Sequence, residues 1–198
     1  EMLCDSMVDL YEKGIITCSK KQFMPRKWLA CFALGTKKLY DFVKENPLVE
    51  MHSCEVVNDP YNIGLNDNVI SINSTLEVDL TGQCASESIG STMYSGAGGQ
   101  VDFVEGAWRS KGGKAILALY STYEEKGTGE LKSRIMPMLK TGSFVTTGRN
   151  DVQYIVTEYG VAQLKGFNLR DRARALISVA HPEFREWLTS EAKRLKYL

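Results

Sequence analysis

Lys111-Gly112-Gly113-Lys114-Ala115-Ile116-Leu117-Ala118-Leu119 is the stretch on which the fold class turns. Its last five residues are all apolar, and two glycines stand before them. A short run without alternation suits a strand covered on both faces, as in the middle of a parallel sheet. Outward from it the period changes. Upstream, Gln100–Trp108 has helical spacing, and Val69–Ile72 and Thr75–Leu80 read as strands, the second alternating through Glu77 and Asp79. Downstream, Phe144–Thr147 and Tyr154–Thr157 read as strands. Leu169–Ala180 and Pro182–Leu195 read as amphipathic helices, with Pro182 suited to a first turn. Toward the start, Met2–Tyr11 reads as a helix stopped by Gly14, Trp28–Leu34 as a buried strand, Lys37–Glu45 as a helix ended by Asn46-Pro47, and Val49–His52 as a short strand. Asn58-Asp59-Pro60 and Asn66-Asp67-Asn68 are turn material, and 82–99 is irregular. Strands alternating with helices give an α/β fold, an open and mostly parallel sheet with flanking helices. In such sheets function collects beyond the carboxyl ends of the strands.

Composition narrows the function. The 198 residues are 43% apolar and 24% charged, enough for one large domain or two small ones. Twenty-four basic residues balance twenty-four acidic ones, which leaves no electrostatic footprint for nucleic acid or an anionic membrane. Five cysteines without a CxxC pair, and only His52 and His181, are poor material for a metal site. Scattered thiols fit the reducing cytoplasm. The first residues carry acids where a secretion signal is basic, and no Met opens the sequence, so we expect a piece of a longer chain.

The densest chemical signal is Ser95-Gly96-Ala97-Gly98-Gly99-Gln100-Val101-Asp102-Phe103. Three glycines in four positions let a main chain approach a ligand and present its N–H groups. Such a loop could bind phosphate, steady an oxyanion, or simply turn a strand into a helix. Its spacing is not that of a dinucleotide fingerprint or a P-loop. Glu125-Lys126-Gly127-Thr128-Gly129 is an exposed loop whose Lys126 either reaches an anion or is solvated. In Thr157-Glu158-Tyr159-Gly160, Glu158 ends an apolar strand as a site carboxylate or a helix cap. His181, before Pro182, is expected to be structural. No G-x-S-x-G elbow is present.

Several runs carry a resemblance. Ser71-Ile72-Asn73-Ser74, Glu77-Val78-Asp79-Leu80-Thr81-Gly82-Gln83, the 95–103 loop, Ser133-Arg134-Ile135-Met136-Pro137, Val156-Thr157-Glu158-Tyr159-Gly160-Val161-Ala162 and Ala180-His181-Pro182-Glu183-Phe184-Arg185 stand in order along nearly the whole chain. Together they resemble the C-terminal half of family I coenzyme A transferases, the acetyl-CoA hydrolase/transferase group that includes the 4-hydroxybutyrate and butyryl-CoA:acetate enzymes. The resemblance implies a fold of the NagB/RpiA/CoA-transferase type. It makes 1–198 the C-terminal domain, with an N-terminal half elsewhere in the same protein.

It also implies site residues. Glu1, in Glu1-Met2-Leu3-Cys4-Asp5, resembles the family's nucleophilic glutamate. Gly99, flanked by Gly96 and Gly98, would donate its N–H to a thioester oxyanion. Asn58 resembles an asparagine touching the glutamate and coenzyme, Lys126 a basic residue near the coenzyme, and Glu158 a second carboxylate. The implied activity moves CoA between a short-chain acyl-CoA and a carboxylate such as acetate, through a glutamyl-CoA thioester. Coenzyme A is then a substrate, and no tightly bound cofactor or metal is expected. The expected partners are the N-terminal half and further copies of the chain, with no nucleic acid and no membrane. The alternatives are an acyl-CoA hydrolase and a non-catalytic CoA-binding module.

Overall fold

A computed structural model describes all of residues 1–198. The chain forms two compact units: 1–69 with 106–113, and 70–105 with 114–198.

The first unit contains β1 (Met2–Leu3), α1 (Asp5–Glu12), β2 (Trp28–Ala30), β3 (Phe32–Ala33), α2 (Lys37–Val43), β4 (Val49–Met51), α3 (Cys54–Val57) and α4 (Pro60–Gly64). β1 runs parallel to β3, and β2 parallel to β4. Two expectations change here. The opening helix begins only at Asp5, because Met2 and Leu3 are drawn into pairing with Phe32 and Ala33. The run 28–34 breaks into two strands at Cys31, each with its own partner, and Phe32 and Leu34 stay exposed. Leu3, Val8, Trp28, Ala30 and Leu39 form the core. Tyr11, Trp28 and Phe42 pack ring against ring beside it, with centroids 5.0–5.7 Å apart, a spacing that favours edge and tilted contacts. Asp59 caps α4 by accepting from the Tyr61 N–H, and Pro60 takes the first turn, where a missing N–H costs nothing.

The second unit opens with β5 (Ile70–Ser74), β6 (Glu77–Asp79), β7 (Cys84–Ala85), β8 (Ser88–Ile89) and β9 (Thr92–Met93). Then come α5 (Gln100–Arg109), whose last turn is counted with the first unit, and β10 (Lys114–Ala118). β11 (Thr122–Glu124), β12 (Leu131–Ser133), β13 (Ile135–Met136), β14 (Tyr154–Thr157), β15 (Gly160–Gln163), α6 (Leu169–Ser178) and α7 (Pro182–Arg194) complete it. The main sheet has the order β15-β14-β10-β5. β5, β10 and β14 are parallel, and β15 returns antiparallel from β14. The open, mostly parallel sheet expected from 115–119 is therefore present.

Its coverage is one-sided. Ala115 and Leu117 of β10 are buried, whereas Ile116 and Ala118 are only half-buried. On edge strand β5, Ile70 and Ile72 remain 51% and 69% exposed. Leu164, Leu176 and Leu188 of the same unit are fully buried. The apolar stripes of α6 and α7 are thus used inside the unit through Ala173, Leu176, Leu188 and Ala192.

Other expectations fail for identifiable reasons. Phe144 and Val145 are exposed, and 144–147 forms no strand beyond a single bridge from Thr147 to Cys84. Glu77 and Asp79, the polar members of the β6 alternation, are both buried. Lys140 reaches Glu77 Oε1 at 3.1 Å as an ion pair. Asp79 accepts from the N–H and hydroxyl of Thr81 and from the N–H and side-chain amide of Gln83, at 2.7–3.1 Å. Paired in this way, a carboxylate can leave water. The irregular 82–99 segment contains the β8–β9 hairpin.

Candidate functional site

In the first unit, Glu1 is held at both its main chain and its side chain. Its carbonyl accepts from the N–H groups of Cys31 and Phe32, which anchors the start of β1. Its exposed side chain places Oε1 2.8 Å from Asn58 Nδ2, which donates to it. Asn58 closes α3 and is buried except for 9% of its surface. Its Oδ1 in turn accepts from the Cys31 thiol at 3.4 Å, and Cys54 Sγ lies 3.4 Å from Cys31 Sγ. The two residues expected to act together, Glu1 and Asn58, are thus in direct contact across 57 positions of sequence. The thiols behind them carried no sequence signal, since nothing in a lone cysteine reports a contact with another 23 residues away.

In the second unit, the parallel strands end around an apolar recess of about 490 Å³. Ser74 ends β5 and Thr75 follows it, Ala118 ends β10 with Leu119 and Tyr120 after it, and Val156 and Thr157 end β14 with Glu158 next. Carboxyl ends of neighbouring parallel strands open such a crevice because the chain must leave the sheet there. Glu158 occupies the two-residue turn between β14 and β15, so it is a strand-end carboxylate and not a helix cap. It accepts from the Ser121 N–H at 2.9 Å and the Ser121 hydroxyl at 2.6 Å. Burial works to raise its pKa. The two Ser121 bonds, a main-chain bond of its own and the electrostatic influence of the nearby His181 outweigh that and hold the carboxyl below the usual range.

The glycine loop leads into α5. Ser91–Gly98 are exposed, while Gly99 and Gln100 are buried. Gly98 has φ +59°, and a Cβ there would meet nothing within 4 Å, so backbone conformation and not space selects glycine. The Gly99 carbonyl accepts the first helical bond, from Phe103. The Gln100 side chain donates to the Ser74 carbonyl at 3.0 Å, which ties the loop exit to the rim of the recess. Gln100 and Ser121 are positioning residues that the sequence did not single out. Gly96, Gly98, Gly99 and Glu158 belong to this unit, as does Lys126, which is exposed at the tip of the β11–β12 hairpin and does not line the recess. His181 caps α7 by accepting from the Glu183 N–H, the structural role expected of it.

Sequence relationships place the chain in a family. The chain belongs to the acetyl-CoA hydrolase/transferase family: residues 35–192 match its C-terminal domain. It is 56% identical over 194 residues to 4-hydroxybutyrate coenzyme A transferase of Clostridium kluyveri, covering 98% of this chain and 44% of that protein. It is 55% identical to succinyl-CoA:cyclohexane-1-carboxylate CoA transferase of Geobacter metallireducens, with the same coverage. Among solved structures, RipA from Yersinia pestis superposes with TM-score 0.90 at 43% identity, covering all of this chain and 44% of that one. The chain spans less than half the length of these relatives. No helix is long and apolar enough to cross a membrane.

Proposed function

We propose that this chain supplies the glutamate-bearing half of an acyl-CoA:carboxylate CoA-transferase, acting on a short-chain acyl-CoA and an acid such as acetate. The observation that carries this is the Asn58 amide on the Glu1 carboxylate at 2.8 Å. A carboxylate is a weak nucleophile, and a thioester a moderately activated acyl group, so covalent catalysis is the accessible route. Glu1 attacks the acyl-CoA carbonyl, and the tetrahedral adduct expels CoA thiolate to leave an acyl–glutamyl anhydride. The thiolate attacks the glutamyl carbonyl, releasing the first acid and leaving a glutamyl-CoA thioester. The second acid runs the same steps in reverse. One thioester is exchanged for another, so the energy of the bond is conserved.

Each addition puts negative charge on a carbonyl oxygen, and the Gly99 N–H is the donor proposed to meet it. One preorganised donor of this kind is worth about 2.7–4 kcal/mol. Asn58 donates to one oxygen of Glu1 and so holds the attacking carboxylate in one orientation. The recess, lined mostly by apolar atoms, offers a water-poor place for the acyl end of the substrate. Glu158, fixed by Ser121 at the recess, is the second, non-nucleophilic carboxylate, and Lys126 offers a cation to the coenzyme. The open Ile70–Ile72 face gives the remaining half of the protein an apolar surface to cover. We assign the enzyme to the cytoplasm, where its thiols stay reduced.

The test is exchange of labelled acetate into acyl-CoA by the full-length protein. Transfer that depends on acceptor acid, and falls by most of its rate in Glu1→Asp, is the expected result. CoA release that is indifferent to acceptor acid would make the protein a hydrolase, and binding without release a CoA-holding module.

A further inference from the structure

Behind the Glu1–Asn58 contact the first unit holds a second chemical feature, a pair of thiols. Cys31 lies between β2 and β3 and Cys54 opens α3, so two separate pieces of chain bring the sulfurs to 3.4 Å. Cys54 is the one exposed cysteine of the five; Cys4, Cys18 and Cys31 are partly covered and Cys84 is buried. A thiol kept only to fill a core has no reason to be at the surface. The pair is not isolated either. In the reduced state the Cys31 S–H donates to Asn58 Oδ1, which turns the other end of the amide, Nδ2, toward Glu1.

We propose that Cys31 and Cys54 are a redox-active pair, closed to an intramolecular disulfide by a low-molecular-weight disulfide, and that closure loosens Asn58 from Glu1. Cys54 is the entry thiol because a small disulfide can reach it. Its thiolate attacks one sulfur of RSSR, forming Cys54–S–S–R and releasing RS⁻, which takes up a proton as RSH. The Cys31 thiolate then attacks Cys54 Sγ and expels the second RS⁻, which is also protonated. Two protein thiols are oxidised, and one small disulfide is reduced to two thiols. Closure asks the sulfurs to approach by about 1.4 Å, to the bond length of roughly 2.0 Å.

The order of attack is supported by the surroundings of Cys31. Burial, with the Cys54 thiol beside it, pushes its pKa up to about 11, so it is a poor first attacker. Once Cys54 is tied up in the mixed disulfide, the Cys54 contribution is gone and Cys31 becomes easier to ionise. A disulfide sulfur has no hydrogen, so Asn58 Oδ1 then loses its donor and the amide its fixed orientation. Cys31 in the reduced protein is a positioning residue, acting through Asn58.

The effect on rate rests on Glu1 being the working carboxylate, as proposed above; formation of the disulfide does not. The experiment treats reduced full-length protein with rising ratios of glutathione disulfide to glutathione, and follows peptide mass and acetate exchange together. The expected result is a two-hydrogen mass loss in a linked Cys31–Cys54 peptide pair. The exchange rate falls about tenfold in step with it, consistent with loss of one orienting hydrogen bond, and dithiothreitol restores it. Cys54→Ser and Cys54→Ala keep the untreated rate and lose both responses. Absence of the linked pair at every ratio, or stable glutathione on Cys54 alone, overturns the proposal. A linked pair with an unchanged rate overturns the coupling to Asn58. Failure of the Glu1 assignment is told apart because Glu1→Gln would then exchange acetate normally, while the linked peptide still forms.

Discussion

In the first unit a carboxylate, an amide and two thiols stand in a row, each touching the next through its side chain. In the second, the chemistry offered is mostly made by the main chain: strand ends around an apolar recess, and a glycine loop leading into a helix. Such a row fails when Glu1 or Asn58 is changed, because each side chain holds the next, while Cys54 at its far end can be exchanged without loss of the basal rate. A main-chain site tolerates exchange of its side chains and fails only when backbone conformation or an N–H is removed. The two units should therefore answer mutation differently, which the following experiments test.

Glu1→Gln keeps the size of the side chain and removes the nucleophile. Acetate exchange should fall at least about a thousandfold, with the fold unchanged by circular dichroism. In the second unit, Gly99→Pro deletes one N–H and Gly99→Ala keeps it. The first should lose about a hundredfold to a thousandfold in kcat and the second much less. Equal losses would mean that the space at Gly99 matters and its N–H does not. Asn58→Ala should cost about ten- to a hundredfold in kcat, the worth of a hydrogen bond to a charged group. A loss expressed only in KM would place Asn58 on the coenzyme and not on Glu1.

The smallest expected change is one of pH. The Ser121 bonds are among the causes that depress the Glu158 pKa below its ordinary value in the folded protein. A depressed carboxyl contributes stability that is complete above its unfolded pKa, about 4.3, and is lost as pH falls through the folded value. Ser121→Ala raises that folded value. Acid unfolding should therefore begin at a higher pH in the variant, with no difference near pH 7 in the shape of the unfolding curve. A shift toward lower pH would contradict the assignment of the bond.

How far the sequence discloses all this depends on the range of the interaction. The β10 strand was legible because its apolar run is local, and the turn at Gly98 because left-handed backbone selects glycine there. The division of 28–34 at Cys31 was not, since it depends on two partner strands, β1 and β4, from different parts of the chain. The burial of Glu77 and Asp79 was not legible either, because period two reports only polarity. Their burial is made possible by Lys140, Thr81 and Gln83, two of them close in sequence and one 63 positions away. The β11–β12 hairpin was missed for a similar reason: its strands are three residues each and largely polar, and only cross-strand pairing identifies them. In the candidate site, Glu1 and Asn58 came from family resemblance, and their contact from the fold. Cys31, Cys54, Gln100 and Ser121 act through partners too distant in sequence to leave a pattern.

The most direct measurement is chemical. Full-length protein is incubated with acyl-CoA and no acceptor acid, reduced with borohydride, digested, and the peptide containing Glu1 is weighed. A thioester on Glu1 is converted to the side-chain alcohol, so the peptide should carry that mass change at Glu1 and lose it when acetate is present before reduction. An unmodified Glu1 in protein that is turning over acyl-CoA, or an alcohol found at Glu158 instead, would contradict the claim that this carboxylate carries the coenzyme.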